Sequence, residues 1–86
     1  MSTFTDQWVP GFLIKGYGFC IQIPRNSKNQ ILTITIIEIY VDNVWKTPTS
    51  FQVIQRPNCW NVVCNEAGLG LDYGNVYLAK INGKIE

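Results

Sequence analysis

Histidine is absent from this 86-residue chain, and charged residues of either sign are scarce. The missing imidazole removes the most frequent general base, the most frequent metal ligand and the usual switch near neutral pH. Charged residues make up 15% of the chain, whereas an average globular protein has about 25%. The apolar fraction of 47% excludes intrinsic disorder. With so few charges, we expect part of the apolar or aromatic surface to be exposed or covered by a partner.

The seven cationic residues are scattered along the chain, and the net charge is only +1. Arg25 and Lys28 are the one close pair, and they fall in a predicted turn. Recognition of nucleic acid through its phosphates requires several cations on one face. The sequence therefore disfavours nucleic acid as a partner. Binding of a single strand would require Lys15, Lys80 and Lys84 to gather around exposed Tyr or Trp, and it is the weakest functional alternative.

No long hydrophobic run indicates a membrane span. The longest apolar stretch, residues 31–37, contains two threonines and then meets Glu38, whereas a membrane helix needs about 20 apolar residues. Residues 1–6 lack the basic region and apolar stretch of a secretory signal. We therefore expect a cytoplasmic protein with no membrane partner.

The three cysteines are an odd number, which argues against a disulfide framework. Cys59 and Cys64 are five positions apart, so in one extended strand their Cα atoms would be about 16 Å apart and their side chains on opposite faces. The limit for a disulfide is about 7 Å. No histidine and no third nearby cysteine completes a zinc site. We expect reduced thiols, no metal and no other cofactor.

Turn-forming residues divide the first half of the chain into β-rich runs. Residues 1–11 are interpreted as an irregular lead-in. A first strand is predicted over residues 12–23, bent where Gly16 and Gly18 interrupt one face. A polar turn then separates this strand from the next.

The second predicted strand, residues 31–41, is the strongest element in the sequence. Its alternation of apolar and polar residues reverses phase between Ile36 and Ile37, which requires a bulge or burial of both faces. The run contains no proline, no glycine and one charge, Glu38. Such a strand would aggregate if it were exposed at an edge, so we expect it to pair on both sides.

The second half of the chain contains one ambiguous segment, residues 47–57. Thr47 and Pro48 could begin a helix over residues 48–56, but the β-branched content and the alternation of Phe51, Val53 and Gln55 favour a short strand. Two more strands are predicted at residues 59–65 and 76–81. They flank a glycine-rich loop over residues 66–75, and Asn82-Gly83 predicts a tight turn after the last strand.

These elements predict a single all-β domain over residues 1–86. Four or five short strands with a bent first strand are typical of a small antiparallel barrel or barrel-like sheet, SH3-like or OB-like. A small α+β fold with one helix near residues 48–56 is the alternative.

No catalytic motif accompanies this fold. The stretch 68–74 departs from the dinucleotide fingerprint because its third glycine is one residue late, and no Lys-Ser/Thr follows as in a phosphate-binding loop. Positive φ in a turn is the simpler reason for these glycines. Glu38 has no second acid that the sequence places beside it, so a mechanism with two carboxylates has no basis. We expect the protein not to be an enzyme.

The aromatic residues, 13% of the chain, carry the functional hypothesis. Trp45 and Lys46 lie in a predicted turn, Tyr73 in the glycine-rich loop, and Tyr40 shares a strand face with Glu38. Aromatic and cationic residues at strand ends are typical of interface hot spots. These four residues are therefore predicted to bind another protein chain, with a second copy of this chain as the simplest partner.

The predicted function is a non-enzymatic protein–protein interaction module, such as an accessory subunit, an inhibitor or a self-associating domain. The alternative is a domain that binds a small ligand or glycan, since aromatic side chains can stack on sugars. That alternative requires the asparagines to line one groove with the aromatics. They are Asn58, Asn61, Asn65 and Asn75.

Overall fold

The computed structural model describes residues 2–86, which form seven antiparallel strands in one sheet and no helix. The strands are β1 Ser2–Ile14, β2 Gly18–Pro24, β3 Leu32–Val41, β4 Val44–Lys46, β5 Phe51–Gln55, β6 Cys59–Cys64 and β7 Val76–Ile85. Their order in the sheet is β4-β3-β7-β1-β2-β6-β5. The sheet curls into a half-barrel, and this curl brings β3 close to β5 although no ladder joins them.

This architecture confirms the all-β, antiparallel, barrel-like prediction. β5 occupies the ambiguous segment, so the strand is correct there and the helix near residues 48–56 is wrong. The sheet has seven strands rather than about five because the N-terminal segment and residues 44–46 also form strands. The finer assignment to an SH3-like or OB-like barrel stays a prediction.

One face of the curled sheet, the inner face, holds the hydrophobic core. Its buried residues come from β1, β2, β3, β6 and β7 and from Leu69 in the 65–75 loop, and partly buried Val53 of β5 and Leu71 of the loop pack against them. The largest fully buried side chains are Trp60, Phe19, Ile21, Ile37, Ile39 and Ile81. Burial of each aliphatic or aromatic side chain of this size contributes about 1.5–3 kcal/mol. The other face, the outer face, is covered by no layer of the described chain.

The prediction of an irregular lead-in over residues 1–11 is wrong for residues 2–11, which form most of β1, and β1 pairs with β7 from Ser2 to Phe12. Met1 lies outside the described residues. The predicted first strand, 12–23, is the end of β1 and most of β2. A turn closed by the Tyr17 N–H donating to the Ile14 carbonyl (3.0 Å) separates them. Gly16 and Gly18 therefore have turn geometry, with φ of 85° and 123°.

The phase reversal in β3 is a β-bulge, as the sequence predicted. The register with β7 shifts between Ile34 and Ile36, after which Ile37 points to the core and Ile36 is exposed. The prediction that this run pairs on both sides holds only at Ile39, where the two ladders overlap. β7 pairs with β3 over residues 32–39, whereas β4 pairs with β3 only over residues 39–41.

The predicted turn at Asn82-Gly83 is wrong, since β7 runs through both residues to Ile85. The two strands that flank β7 have their irregularities at this level: β1 between Phe4 and Gln7, and β3 at its bulge. The Asn82 side chain accepts a hydrogen bond from the Asp6 N–H at the β1 irregularity. A Cβ at Gly83 would collide with the Thr33 carbonyl. Glycine is needed here because it lets the neighbouring strand approach closely, and not because the chain turns.

The predicted strands at 59–65 and 76–81 and the glycine-rich loop between them are confirmed, although the last strand continues to Ile85. β6 has the predicted alternation, with Trp60, Val62 and Cys64 buried on the inner face. The glycine-rich segment is a loop, and Gly68, Gly70 and Gly74 all have positive φ.

Candidate functional site

The hairpin between β3 and β4 builds the first part of the site. Its two loop residues, Asp42 and Asn43, have φ of 51° and 65°, as in the two-residue turns whose twist matches that of the flanking strands. This turn places Tyr40 directly opposite Trp45. Their ring centroids are 4.9 Å apart, and the Tyr40 hydroxyl donates to the Asn43 Oδ1 at 3.3 Å.

β1 contributes a second tryptophan, Trp8, to the site. The registers place Trp8 of β1 opposite Lys80 of β7, and Lys80 opposite Glu38 of β3. From this row Trp8 reaches Trp45, with ring centroids 5.6 Å apart in an edge-to-face arrangement. Trp8, Tyr40 and Trp45 together form the outer aromatic cluster. Each such ring pair contributes about 0.5–1.5 kcal/mol beyond its buried area.

Lys80 lies within this cluster and is held by two interactions. Its Nζ atom is 4.4 Å from the centre of the Trp45 ring and 3.7 Å from a Glu38 carboxylate oxygen. A cation over an indole ring is attracted by the negative face of the ring. The ammonium and the carboxylate neutralise each other, so the cluster presents aromatic surface around a single ion pair.

The outer aromatic cluster is accessible. Trp8 is 59% exposed and Tyr40 39%, while Trp45 is half-buried between them. The apolar surface continues along β1 and β7, where Phe12 lies opposite Val76, and these side chains are 51% and 70% exposed. The three aromatic rings come from strands of one sheet, and they contact one another without a partner. A preformed arrangement of this kind lowers the entropy cost of binding.

The structure brings together only two of the four residues predicted to form the site. Tyr40 and Trp45 are in contact, but Lys46 alternates to the opposite face and donates from its Nζ to the Leu69 carbonyl at 3.2 Å. Lys46 thereby fastens the 65–75 loop to the hairpin. Tyr73 is exposed in that loop, and among residues 2–86 it stacks on no ring of the outer aromatic cluster.

Trp8 is the member of the site that the sequence prediction missed, because residues 1–11 were interpreted as irregular. The period-2 alternation of β1 was the available sign. Trp8, Phe12 and Ile14 are outward, while Val9 and Leu13 point to the core.

Two further surface concavities lie at the other end of the sheet. One, of about 500 Å³, is lined by the β1–β2 turn, the start of β5 and the end of β6, with Asn65 among its polar groups. The other, of about 300 Å³, is an apolar groove on the outer face that includes Phe12, Cys20, Ile54 and Asn61. Asn58 and Asn75 line neither concavity. The asparagines therefore do not converge on one groove.

The cysteines are free thiols. Cys59 and Cys64 stand at opposite ends of β6, and Cys64 is fully buried. Burial, with a smaller contribution from the nearby Cys20 thiol, raises the pKa of Cys64 to about 12. Within residues 2–86, no cluster of three or more Cys, Asp or Glu side chains is placed to hold a metal ion.

The fold defines a small all-β domain with one open, curled sheet and an exposed aromatic cluster on its outer face. Comparison of the chain with protein-family models, curated proteins and solved structures finds no match. No helix in the described part of the chain is long and apolar enough to cross a membrane.

Proposed function

We propose that this protein is a non-enzymatic interaction module that binds another protein through its outer aromatic cluster. The observation that carries the proposal is the exposed, preassembled group of Trp8, Tyr40 and Trp45 on strands of one sheet. Trp and Tyr are the residues that most often dominate binding energy at protein interfaces. A cytoplasmic location is part of this proposal.

The charge pattern around the cluster supports a protein partner. Lys80 and Glu38 already neutralise each other, so the surface attracts neither a polyanion nor a polycation strongly. The pair can remain at the rim, where it orients a partner at little desolvation cost. The apolar extension through Phe12 and Val76 enlarges the contact area beyond the aromatic rings.

The alternative function, binding of a glycan or small ligand, has less support. It requires aromatics and asparagines around one concavity, and Asn61 and Asn65 line two different ones. One asparagine, Asn43, lies beside the cluster, and its Oδ1 accepts a hydrogen bond from the Tyr40 hydroxyl.

The test is affinity purification of the tagged protein from cells of its own source, with quantification of every protein retained. In Trp8→Ala/Trp45→Ala, we expect the specifically retained partner to be lost, because the two largest anchors are removed. Ile31→Ala is the matched control, since Ile31 is 54% exposed but lies just before β3, at the opposite end of that strand from Tyr40. Tyr73→Ala determines whether the glycine-rich loop belongs to the interface.

The partner is then purified and its affinity for each variant measured by calorimetry. We expect the double variant to bind at least about tenfold more weakly, the loss typical of an interface hot spot. Circular dichroism must show that the sheet is intact. A folded double variant that retains every partner with unchanged affinity contradicts the proposal.

A further inference from the structure

The two ends of the sheet differ in how they are protected against pairing with another strand. At one end, β4 is only three residues long, and the free part of β3 beside it has a bulge and one charge, Glu38. Short length, bulges and charges are the usual devices that prevent edge pairing. At the other end, β5 has five residues in unbroken register with β6 and contains no charge, no proline and no glycine.

The hydrogen bonds to β6 determine which backbone groups of β5 face outward. The Arg56 N–H donates to the Cys59 carbonyl, and the Asn65 N–H donates to the Ser50 carbonyl. Even-numbered residues of this segment therefore bond to β6, because bonded and outward-facing residues alternate along an antiparallel strand. The N–H and C=O groups of Phe51, Val53 and Gln55 point away from β6, to the edge of β5 at which no strand of residues 2–86 pairs, although the curl of the sheet brings part of β3 close to β5.

We propose that β5 pairs with β5 of a second copy of this chain in an antiparallel, two-fold symmetric ladder centred on Val53. In this register Val53 lies opposite itself, and Phe51 of each copy lies opposite Gln55 of the other. The backbone N–H and C=O groups of all three residues point away from β6. The ladder can therefore form six hydrogen bonds without disturbing those between β5 and β6. The two sheets become one sheet of fourteen strands.

The side chains and the flanking residues fit this register. Gln52 of each copy lies opposite Ile54 of the other on the outer face, and Arg56 lies opposite Ser50, so no like charges are juxtaposed. Pro48 and Pro57 follow at the two ends of the segment. Proline cannot donate to a ladder, so the pairing is confined to the segment between them. A second copy is favoured over an unrelated peptide because β5 is neutral and, about a two-fold axis at Val53, its outward backbone groups match those of an identical strand.

The first experiment measures the mass of the purified protein by light scattering and native mass spectrometry at increasing concentration. We expect the mass of two chains. Gln52→Lys/Ile54→Lys and Gln52→Glu/Ile54→Glu each place like charges opposite one another, so each alone should associate at least about tenfold more weakly than the wild type. An equimolar mixture of the two should restore the dimer as a heterodimer. The matched neutral control is Gln52→Asn/Ile54→Val.

A backbone test at Val53 is independent of these side chains. Val53→Pro removes an N–H that points to the second copy, but it removes no hydrogen bond between β5 and β6. We therefore expect a folded monomer. Val53→Ala shortens the side chain, retains the N–H and should remain dimeric.

The dimer proposal is overturned by three results. The first is that the wild type has the mass of a single chain at millimolar concentration. The second is that neither the charged variants nor Val53→Pro weakens the dimer. The third is that the two charged variants do not form a heterodimer when they are mixed. The test is also separate from that of the proposed function. A dimer lost in Trp8→Ala/Trp45→Ala but retained in Val53→Pro assigns self-association to the outer aromatic cluster. Loss of the β5 dimer alone leaves the proposed function standing.

Discussion

Cys64 shows how complete burial changes the chemistry of a single residue. Its side chain is fully buried on the inner face of β6, where ionisation would place an uncompensated charge in the core. Burial is accordingly the main reason that the pKa of Cys64 is raised from 9.0 to about 12. The folded state favours the protonated thiol, so its contribution to stability is complete below pH 9 and is lost as pH rises from about 9 toward 12.

We expect Cys64→Ala to lose less stability than the wild type between pH 9 and pH 11, even if it is less stable at pH 7 because of the cavity it creates. A single group with this shift changes the free energy of unfolding by up to about 1.4 kcal/mol per pH unit. Chemical unfolding of both proteins across this pH range measures the difference. Val62→Ala is the control, because it creates a cavity in the same buried part of β6 without removing an ionisable group, so it should keep the slope of the wild type. Parallel slopes for Cys64→Ala and the wild type would show that Cys64 ionises normally in the folded state.

At the scale of an element, the bulge in β3 decides which of two adjacent isoleucines enters the core. Both are flanked by apolar and polar neighbours in a run that could place either one inside. The shift in register after Ile34 turns Ile37 inward, where it is 2% exposed, and leaves Ile36 at 50%. The phase reversal predicted the bulge, but it did not specify which side of the bulge each residue would take.

Ile37→Ala should therefore cost about 2–5 kcal/mol of stability, as for other buried isoleucines. Ile36→Ala, its matched neighbour, should cost about 1 kcal/mol because half of its side chain is already in water. Denaturant unfolding of the two variants gives both values. Equal losses would mean that the bulge is not where the structure has it.

At the scale of the whole molecule, β7 joins the two halves of the sheet. It lies between β3 and β1, and within the described residues it is the only strand whose ladders join the β4-β3 pair to the β1-β2-β6-β5 group. It also contributes Ala79 and Ile81 to the shared core. We therefore expect the domain to unfold in one cooperative transition.

Removal of residues 75–86 should leave the remaining chain unfolded, because β3 and β1 then lose their common neighbour and Ala79 and Ile81 leave the core. Removal of residues 1–5 is the control. This deletion removes only the part of β1 before the irregularity at Phe4/Gln7, so it should lower stability without abolishing the fold. Circular dichroism and dispersion of amide proton resonances distinguish the two outcomes. A folded fragment 1–74 would show that the halves are independent.

Local chemistry in the sequence determined the all-β class, the strand over 51–55, the strand from 59, the loop with positive-φ glycines and the bulge in β3. Each depends on near neighbours: alternation with a period of two, β-branched residues and glycine freedom. The same reasoning failed at Asn82-Gly83, where a strong turn signal lies inside a strand. Glycine there lets the Thr33 carbonyl approach closely, and the sequence cannot state which strand comes near.

Only the tertiary structure decided the candidate site. The sequence predicted Trp45 from its place in a turn and Tyr40 from the strand face that it shares with Glu38. It did not include Trp8, which is more than thirty positions away and was assigned to an irregular segment. The register of β1 on β7 and of β7 on β3 places Trp8 beside Trp45 and turns Lys46 to the other face. The physical reason is that alternation along a strand determines two faces but not the neighbours across them. Those neighbours are chosen by pairing between distant strands, which is settled by the packing of the complete core.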